Sequence, residues 1–483
     1  MNELSRRDAL KLGVAGAAVG ALGGCSRLAN RLVEHHPDAP IPSGKVDETL
    51  RLINRVSFGP TPGLVAKVKE MGKDAYLESL LAADEKEDLH LQFLLNRFDV
   101  FQMDPYETRD LPEREIMRQL QAAAILRAVY GQHQLRERMV DLWTNHFNIY
   151  GHKGLAANRK AVEETQVIRK HALGSFPEML KASAHSPAML IFLDNQSNVA
   201  GHANENYARE IMELHSLGVK GGYTQKDVQE VARCFTGWAV ERGFMRHRWA
   251  FRFDPTLHDN GTKHVLGHVI PAGGGETDAD RVIEILAHHP STATHIATKL
   301  CRYFLGTAGD AWIPQIAGVY RETKGDIKAM LRPILQSDDL LSGPPILKRP
   351  FDYAVSALRA LEADTDGGTD LQNHLASMGE PLYQWPMPDG YPTQTSSWTG
   401  TMLPRWNFAH ALATNQIRGT SVDWKALNPE LSAHRQFELI HNRHPDAADR
   451  VLMTKIEHEI KLGNDGHISA GFLCMASPAF QWR

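Results

Sequence analysis

The sequence predicts a mainly α protein, with one large multi-helix globular domain and a small β-hairpin insertion near residues 247–270. Three observations support this fold class. Apolar residues recur at three- and four-residue steps along most of the chain. Sustained alternation of apolar with other side chains, which is typical of a strand, is confined to one short segment. The composition, with 42% hydrophobic and 23% charged residues among 483, is that of a globular protein.

We predict helices where that spacing is sustained and where Gly, Pro or capping residues bound it. The predicted helices span residues 49–57, 62–72, 113–130, 134–150, 157–173, 175–185, 204–218, 224–238, 279–288, 292–305, 325–336, 350–362, 402–414 and 446–461. No 20–50-residue period and no long linker divides the body, so residues 46–483 are predicted to form a single helical domain.

The predicted hairpin rests on alternation followed by a turn. Trp249, Phe251 and Phe253 occupy every second position, and Asp259-Asn260-Gly261 provides a turn signal before Val265.

The first 24 residues resemble a twin-arginine signal peptide. Arg6 and Arg7 stand before a short Ala/Gly-rich apolar run from Leu12 to Gly24. This run is shorter than the ~20 residues that a membrane-spanning helix needs. The sequence therefore predicts export by the twin-arginine route to the periplasm or cell envelope.

Cys25 follows Leu22-Gly23-Gly24, which resembles a lipobox. In this interpretation Cys25 is lipidated, and the proline-rich residues 25–45 tether the body to a membrane. The alternative is a plain cleavable signal with an incidental cysteine.

Charge and cysteine content exclude two classes of protein. Lys and Arg total 53 and Asp and Glu total 57, giving a net charge of −4. We therefore predict no nucleic-acid partner, because no basic excess is present to bind a phosphate backbone. Four cysteines in 483 residues also exclude a disulfide scaffold.

Several segments together resemble the bacterial domain-of-unknown-function family 1800. They are LINRVSFGPT (52–61), WTNHF (143–147), NENYAREIMELH (204–215), YTQKDV (223–228), HDNGTK (258–263) and ASPAFQ (476–481). The resemblance runs from about residue 48 to the C-terminus. It implies an exported protein, often encoded beside a phosphatase/sulfatase-like companion, which is one partner hypothesis. It implies no reaction and no catalytic residue.

The predicted helix 134–150 places His146 in an apolar stripe with Trp143 and Tyr150. One interpretation makes His146 a general base or metal ligand below an aromatic-lined pocket. The other makes it a core histidine with satisfied ring nitrogens. Asn145, on the polar flank, is a candidate for orienting substrate.

The predicted helix 204–218 has an unusual density of polar residues. Glu210 and Asn206 lie on one face, beside a buried stripe that includes His215. We predict Glu210 as an acid/base for a glycosidic or ester bond, Asn206 as a substrate-orienting group and His215 as a proton-transferring group. The alternative is a solvated charged face.

Two further segments carry candidate sites. His258 and Asp259 are candidate ligands of a divalent metal, although an Asp-Asn-Gly turn needs no cation. In residues 379–401, Trp385, Tyr391 and Trp398 are predicted to form a platform for sugar rings or peptides. Alternatively, this segment is a lid whose rings pack as core.

The predicted function is that of an exported hydrolase or lyase acting on an extracytoplasmic polymer such as a glycan. Glu210 is its acid/base, and His146 and His215 support proton transfer. Two alternatives stay open: a non-catalytic lipoprotein that binds a partner protein or polymer, and a metal or redox cofactor protein exported in folded form.

Overall fold

The fold is taken from a computed structural model of the chain. The structure describes residues 48–82, 89–103, 107–241, 250–427, 432–441, 443–461 and 466–483. The predictions for the signal peptide, for Cys25 and for the tether lie outside these residues, as does Trp249.

Helices dominate the described residues, which confirms the mainly α prediction. The first group consists of α1 (Glu48–Val56), α2 (Pro62–Met71), α3 (Lys73–Ala82), α4 (Leu89–Leu95), α5 (Glu113–Tyr130), α6 (Gln134–His146), α7 (Ala157–Val162), α8 (Phe176–Ala184), α9 (Pro187–Phe192), α10 (Glu205–Glu213) and α11 (Gln225–Cys234). The second consists of α12 (Thr277–His288), α13 (Pro290–Leu305), α14 (Ile313–Thr323), α15 (Ile327–Gln336), α16 (Asp339–Ser342), α17 (Pro350–Ala360), α18 (Thr369–Ser377), α19 (Met402–Ala413), α20 (Trp424–Leu427), α21 (Ala433–His441), α22 (Ala447–Lys461) and α23 (Gly466–Ala476).

The ends of several helices differ from the prediction. Helix α6 ends at His146, because Phe147 leaves the helical region with φ −100° and ψ 50°. Helix α7 continues into a π-helical segment, Glu163–Arg169. Helix α10 is shorter than predicted: Asn204 caps its start by accepting a hydrogen bond from Asn206 N, and the helix ends at Glu213.

The described strands form three antiparallel pairs. These are β1 (Trp238–Val240) with β2 (Phe251–Phe253), β3 (Lys263–Val265) with β4 (His268–Ile270), and β5 (Asp364–Thr365) with β6 (Thr420–Ser421).

The predicted hairpin near 247–270 is confirmed as β3–β4, but its turn was assigned incorrectly. The chain reverses at Leu266 and Gly267, which have φ 49° and 81°. At the predicted turn, Asp259 instead accepts a hydrogen bond from Gly261 N (2.9 Å), so the turn is local and lies outside the paired strands. Phe251–Phe253 pairs with β1.

Most buried apolar side chains belong to two large clusters. The first includes Trp143, Phe147 and Phe176 and contains the inward faces of α6, α8, α10 and α13. The second is built around α5, α17 and α19. Burial of apolar area is the main stabilising contribution in both clusters. The single domain 46–483 stays a prediction.

Buried ion pairs connect α6 to the start of α17. Arg138 pairs with Asp352, and both side chains are almost fully buried. Arg349 pairs with Asp141 (2.5 Å) and with Glu380 (3.4 Å). These contacts fix α6, which carries His146, relative to the second cluster.

Across the part of the chain that the structure describes, no helix is both long enough and apolar enough to cross a bilayer.

Candidate functional site

Three histidines from separate elements meet inside the first cluster. His146 ends α6, His215 follows α10 and His295 lies on α13. The ring centroids of His215 and His295 lie 6.0 and 6.1 Å from that of His146. The two predicted histidines are therefore brought together, and a third joins them.

The hydrogen bonds of these histidines leave two ring nitrogens unused. His146 donates from Nε2 to the main-chain oxygen of His215 (3.2 Å), and His295 Nε2 lies 3.1 Å from Leu214 O. His146 Nδ1 and His215 Nε2 are buried and have no hydrogen-bond partner among the described residues. Buried polar atoms are normally paired, so these two nitrogens are exceptional.

The three rings are uncharged at neutral pH. Burial lowers the pKa of His215 to about 3 and the pKa of His295 to about 4, and it holds the pKa of His146 well below 6.5. The positive charge of Lys299 is the next cause at all three rings.

Lys299 lies one helical turn after His295 on α13, so the two side chains share a face. It forms no hydrogen bond or ion pair with a described residue. Burial lowers the pKa of Lys299 to about 8, and the charge of Asp389 acts in the opposite direction. A substantial fraction of this amine is therefore neutral near pH 8, as a proton acceptor requires.

Glu210 lies on α10, half-buried and without a hydrogen bond or ion pair to a described residue. Burial raises its pKa above the ordinary value, and the negative charges of Glu213 and Asp389 add to this effect. Asp389 thus acts on both Glu210 and Lys299. One exposed carboxylate therefore influences an acid with a raised pKa and an amine with a lowered pKa.

Residues 379–401 position Asp389. Trp385 donates from Nε1 to Asp389 Oδ1 (3.0 Å). Asn148 donates to the main-chain oxygens of Trp385 (2.9 Å) and Met387 (2.7 Å). Two hydrogen bonds from one side chain just beyond the end of α6 therefore hold the backbone beside Asp389.

Asn145, which is predicted to orient substrate, holds the same loop. Its amide donates to Tyr391 O (3.0 Å) and accepts from Tyr391 N (2.7 Å). A Cβ added to Gly390, whose φ is +74°, would lie 2.2 Å from Asn145 O. Asn145 therefore fixes the loop by close packing.

The predicted aromatic platform is reduced to one residue. Tyr391 and Trp398 are only 7% and 4% exposed and pack against Leu347, so they cannot stack on a polymer. Trp398 also donates to Pro392 O (2.9 Å). Trp385 is half-buried and retains an accessible part of its ring.

Asn206 is exposed on α10, one turn before Glu210. Its side chain donates to Leu193 O (3.1 Å), so this amide anchors the helix locally. Tyr223 donates to Glu213 (3.0 Å), the carboxylate that helps to raise the pKa of Glu210.

The structure gives His258 and Asp259, the candidate metal ligands, other partners. His258 donates from Nδ1 to Thr236 O (2.8 Å), and its Nε2 lies 3.2 Å from Asp278, which also holds Lys263. Asp259 accepts two hydrogen bonds from Arg233, at 2.8 and 3.1 Å. The two candidate ligands thus belong to separate ion pairs. In the described ranges, no group of three or more His, Cys, Asp or Glu side chains is arranged to hold a metal ion.

A cavity of about 60 Å³ lies beneath the loop, between α5, α6 and α17. Its lining includes Asp141, Asn145, Glu164, Arg349 and Glu380. Burial raises the pKa of Glu380 to about 7. The volume suits a few water molecules and no polymer. This cavity is therefore part of the charged support under the loop.

Neither Lys299 nor His295 is among the candidate residues predicted from the sequence. The available signal was their four-residue spacing on the predicted helix 292–305, which places both on one face. That spacing does not indicate that the face meets α6 and α10.

Replacing Asn148 by alanine is expected to release residues 379–401. Two buried hydrogen bonds are lost, so the free energy of unfolding should fall by about 1–3 kcal/mol. Limited proteolysis should cut this segment faster, while circular dichroism stays unchanged. The control is Gln394→Ala, which alters an exposed side chain of the same loop. Equal cleavage of both variants would contradict the role of Asn148.

Comparison with known proteins gives one match. A sequence model of the family described as "Protein of unknown function (DUF1800)" matches residues 51–482. Searches of curated proteins and of solved structures each found no match. Because the family match spans most of the chain, the protein belongs to the DUF1800 family.

Proposed function

We propose that this chain is an exported acid–base enzyme, a hydrolase or lyase acting on an extracytoplasmic polymer such as a glycan. One observation carries the proposal: the side chains of Glu210 and Lys299 form no hydrogen bond or ion pair with a described residue, and the charge of Asp389 acts on the pKa of both. Export and lipid anchoring at Cys25 are part of the proposal on the strength of the sequence pattern.

Glu210 acts as the general acid in this proposal. A raised pKa keeps more of the carboxyl group protonated as the pH approaches neutrality, so that it can protonate a leaving-group oxygen. Lys299, with a pKa of about 8, takes the complementary proton. In hydrolysis that proton comes from the attacking water, and in elimination it comes from the substrate carbon.

The histidines set the environment of Lys299. His146, His215 and His295 are neutral and packed among aromatic rings, so the region next to the amine is poorly solvated. Low solvation disfavours the ammonium form and keeps the pKa of Lys299 low. His146 and His215 are therefore positioning residues that act through Lys299.

Trp385 provides the contact with the polymer. Its indole donates to Asp389, so the ring lies beside the carboxylate that links the acid and the amine. A partly exposed indole face is suited to stack on the apolar face of a sugar ring.

The experiment is a cleavage screen of the purified chain against soluble polysaccharides and peptides, with new chain ends as the readout. The wild type and the double variant Glu210→Gln/Lys299→Met are compared after circular dichroism has shown that both are folded. The proposal predicts new ends from the wild type alone. Binding without cleavage by the wild type, or equal cleavage by both, would contradict it.

A further inference from the structure

A second cavity, of about 220 Å³, lies away from Glu210, where α1 meets α21 and the last residues of the chain. Its charged lining is basic: Arg51, Arg55, Lys348, Arg443 and Arg483, with the ring of His441 beside them. No aspartate or glutamate is among the described residues that line it.

Two arginines in the wall have unused donors. Arg55 is 4% exposed and donates from Nη2 to Pro344 O (2.5 Å) and Gly343 O (3.3 Å), but its Nη1 has no partner. The side chain of Arg483 is 6% exposed, and neither Nε nor Nη1 forms a hydrogen bond. A buried donor without an acceptor is costly, so an acceptor that reached these nitrogens would stabilise the two arginines.

Among the described residues, few side-chain carboxylates lie close to this cluster. Asp449 holds Arg443 (2.6 Å), and Asp352 lies 3.7 Å from Arg483 but is shared with Arg138. Among the described residues, the ammonium of Lys348 donates to the Ser356 hydroxyl (3.0 Å) and lies over the ring of Phe480.

The pKa values of Arg55 and Lys348 also reflect the excess of positive charge in this cluster. Burial, followed by the charges of Arg483 and Arg51, lowers the pKa of Arg55 to about 10. Burial lowers the pKa of Lys348 to about 7; the charge of Asp352 opposes this shift, and the charges of Arg405 and Arg483 add to it. A bound anion would relieve these effects.

We infer that this cavity binds a tetrahedral oxyanion, a phosphate or sulfate group, with Arg55 and Arg483 as its main donors. Guanidinium groups match the oxygens of such anions through paired charge-assisted hydrogen bonds. Phe480 and Trp482, also in the lining, offer ring contacts to the remainder of a larger ligand.

The test is calorimetric titration of the purified chain with inorganic phosphate and, separately, with sulfate, at constant ionic strength set with chloride. We expect saturable binding of at least one anion. Arg55→Gln should weaken it by about tenfold or more, because a charged donor is lost. The stronger of the two titrations identifies the preferred anion.

Arg302→Gln is the matched control, since Arg302 is exposed and pairs with Asp310 (2.7 Å) away from the cavity. If Arg55→Gln does not fold, Arg51→Gln replaces a more exposed arginine of the same lining. Absence of saturable binding in the wild type, or equal binding by a cavity variant and the control, would overturn the inference.

Discussion

Replacing Glu210 by glutamine is expected to lower kcat by about 10²–10⁴-fold on the substrate found by the cleavage screen. Glutamine keeps the size of the side chain but cannot donate the proton that the leaving group needs. Because the side chain of Glu210 forms no hydrogen bond or ion pair with a described residue, the substitution removes no such contact. Initial rates at saturating substrate measure the effect.

Glu205→Gln is the matched control for this prediction. Glu205 lies on the same helix and is ion-paired with Arg209 (3.1 Å). It should retain nearly all activity. A comparable loss of kcat in both variants would remove Glu210 from the mechanism.

The substitution Glu210→Gln should not reduce the free energy of unfolding near neutral pH. The folded protein raises the pKa of Glu210, so the folded state binds this proton more tightly than the unfolded state does. The wild type therefore loses stability as the pH rises from the ordinary value through the raised pKa. Glu210→Gln lacks this loss and should be at least as stable at pH 7.

Replacing Asp352 by asparagine is expected to lower the free energy of unfolding by about 3–5 kcal/mol, because it leaves the buried guanidinium of Arg138 without its counter-charge. Arg138 and Asp352 are 0% and 3% exposed. The pair also joins α6 to α17, so both hydrophobic clusters depend on it. Urea unfolding followed by circular dichroism measures the change.

Asp310→Asn provides the comparison for Asp352, because it breaks an exposed pair with Arg302 and should leave the urea midpoint unchanged. Burial alone would raise the pKa of Asp352, but the charges of Arg138, Arg483 and Arg349 hold it below 3.8. Its contribution to stability is therefore complete above pH 3.8 and is lost as the pH falls through the lower folded pKa. Equal urea midpoints for Asp352→Asn and Asp310→Asn would contradict the proposed contribution of the buried Arg138–Asp352 pair to stability.

Helix positions were predictable where the apolar spacing is regular. Helix α5 has the predicted bounds, Glu113–Tyr130, because its apolar stripe and the flanking Pro112 and Gly131 agree. Helix α10 is shorter than predicted. Apolar spacing continues through Leu217, but the backbone leaves the helix at Leu214 and Gly218 adopts φ +84°.

The candidate site was only partly predictable, because it depends on contacts between distant segments. The apolar stripe indicated that His146 is buried, but its approach to His215 and His295 results from the packing of three helices. Likewise, the burial of Tyr391 follows from its contact with Asn145, which is 246 residues away in sequence. A local sequence pattern cannot predict a contact between residues so far apart in the chain.

The most direct test of the shared site measures the pKa of Lys299 with and without Asp389. Acylation of the folded protein across a pH series, read by mass spectrometry of the Lys299 peptide, gives the titration midpoint. The account predicts a midpoint near 8 in the wild type, against 10.5 for an ordinary lysine. It predicts a lower midpoint in Asp389→Asn, since the carboxylate stabilises the ammonium form. A midpoint near 10.5, or one that Asp389→Asn does not move, would contradict the account.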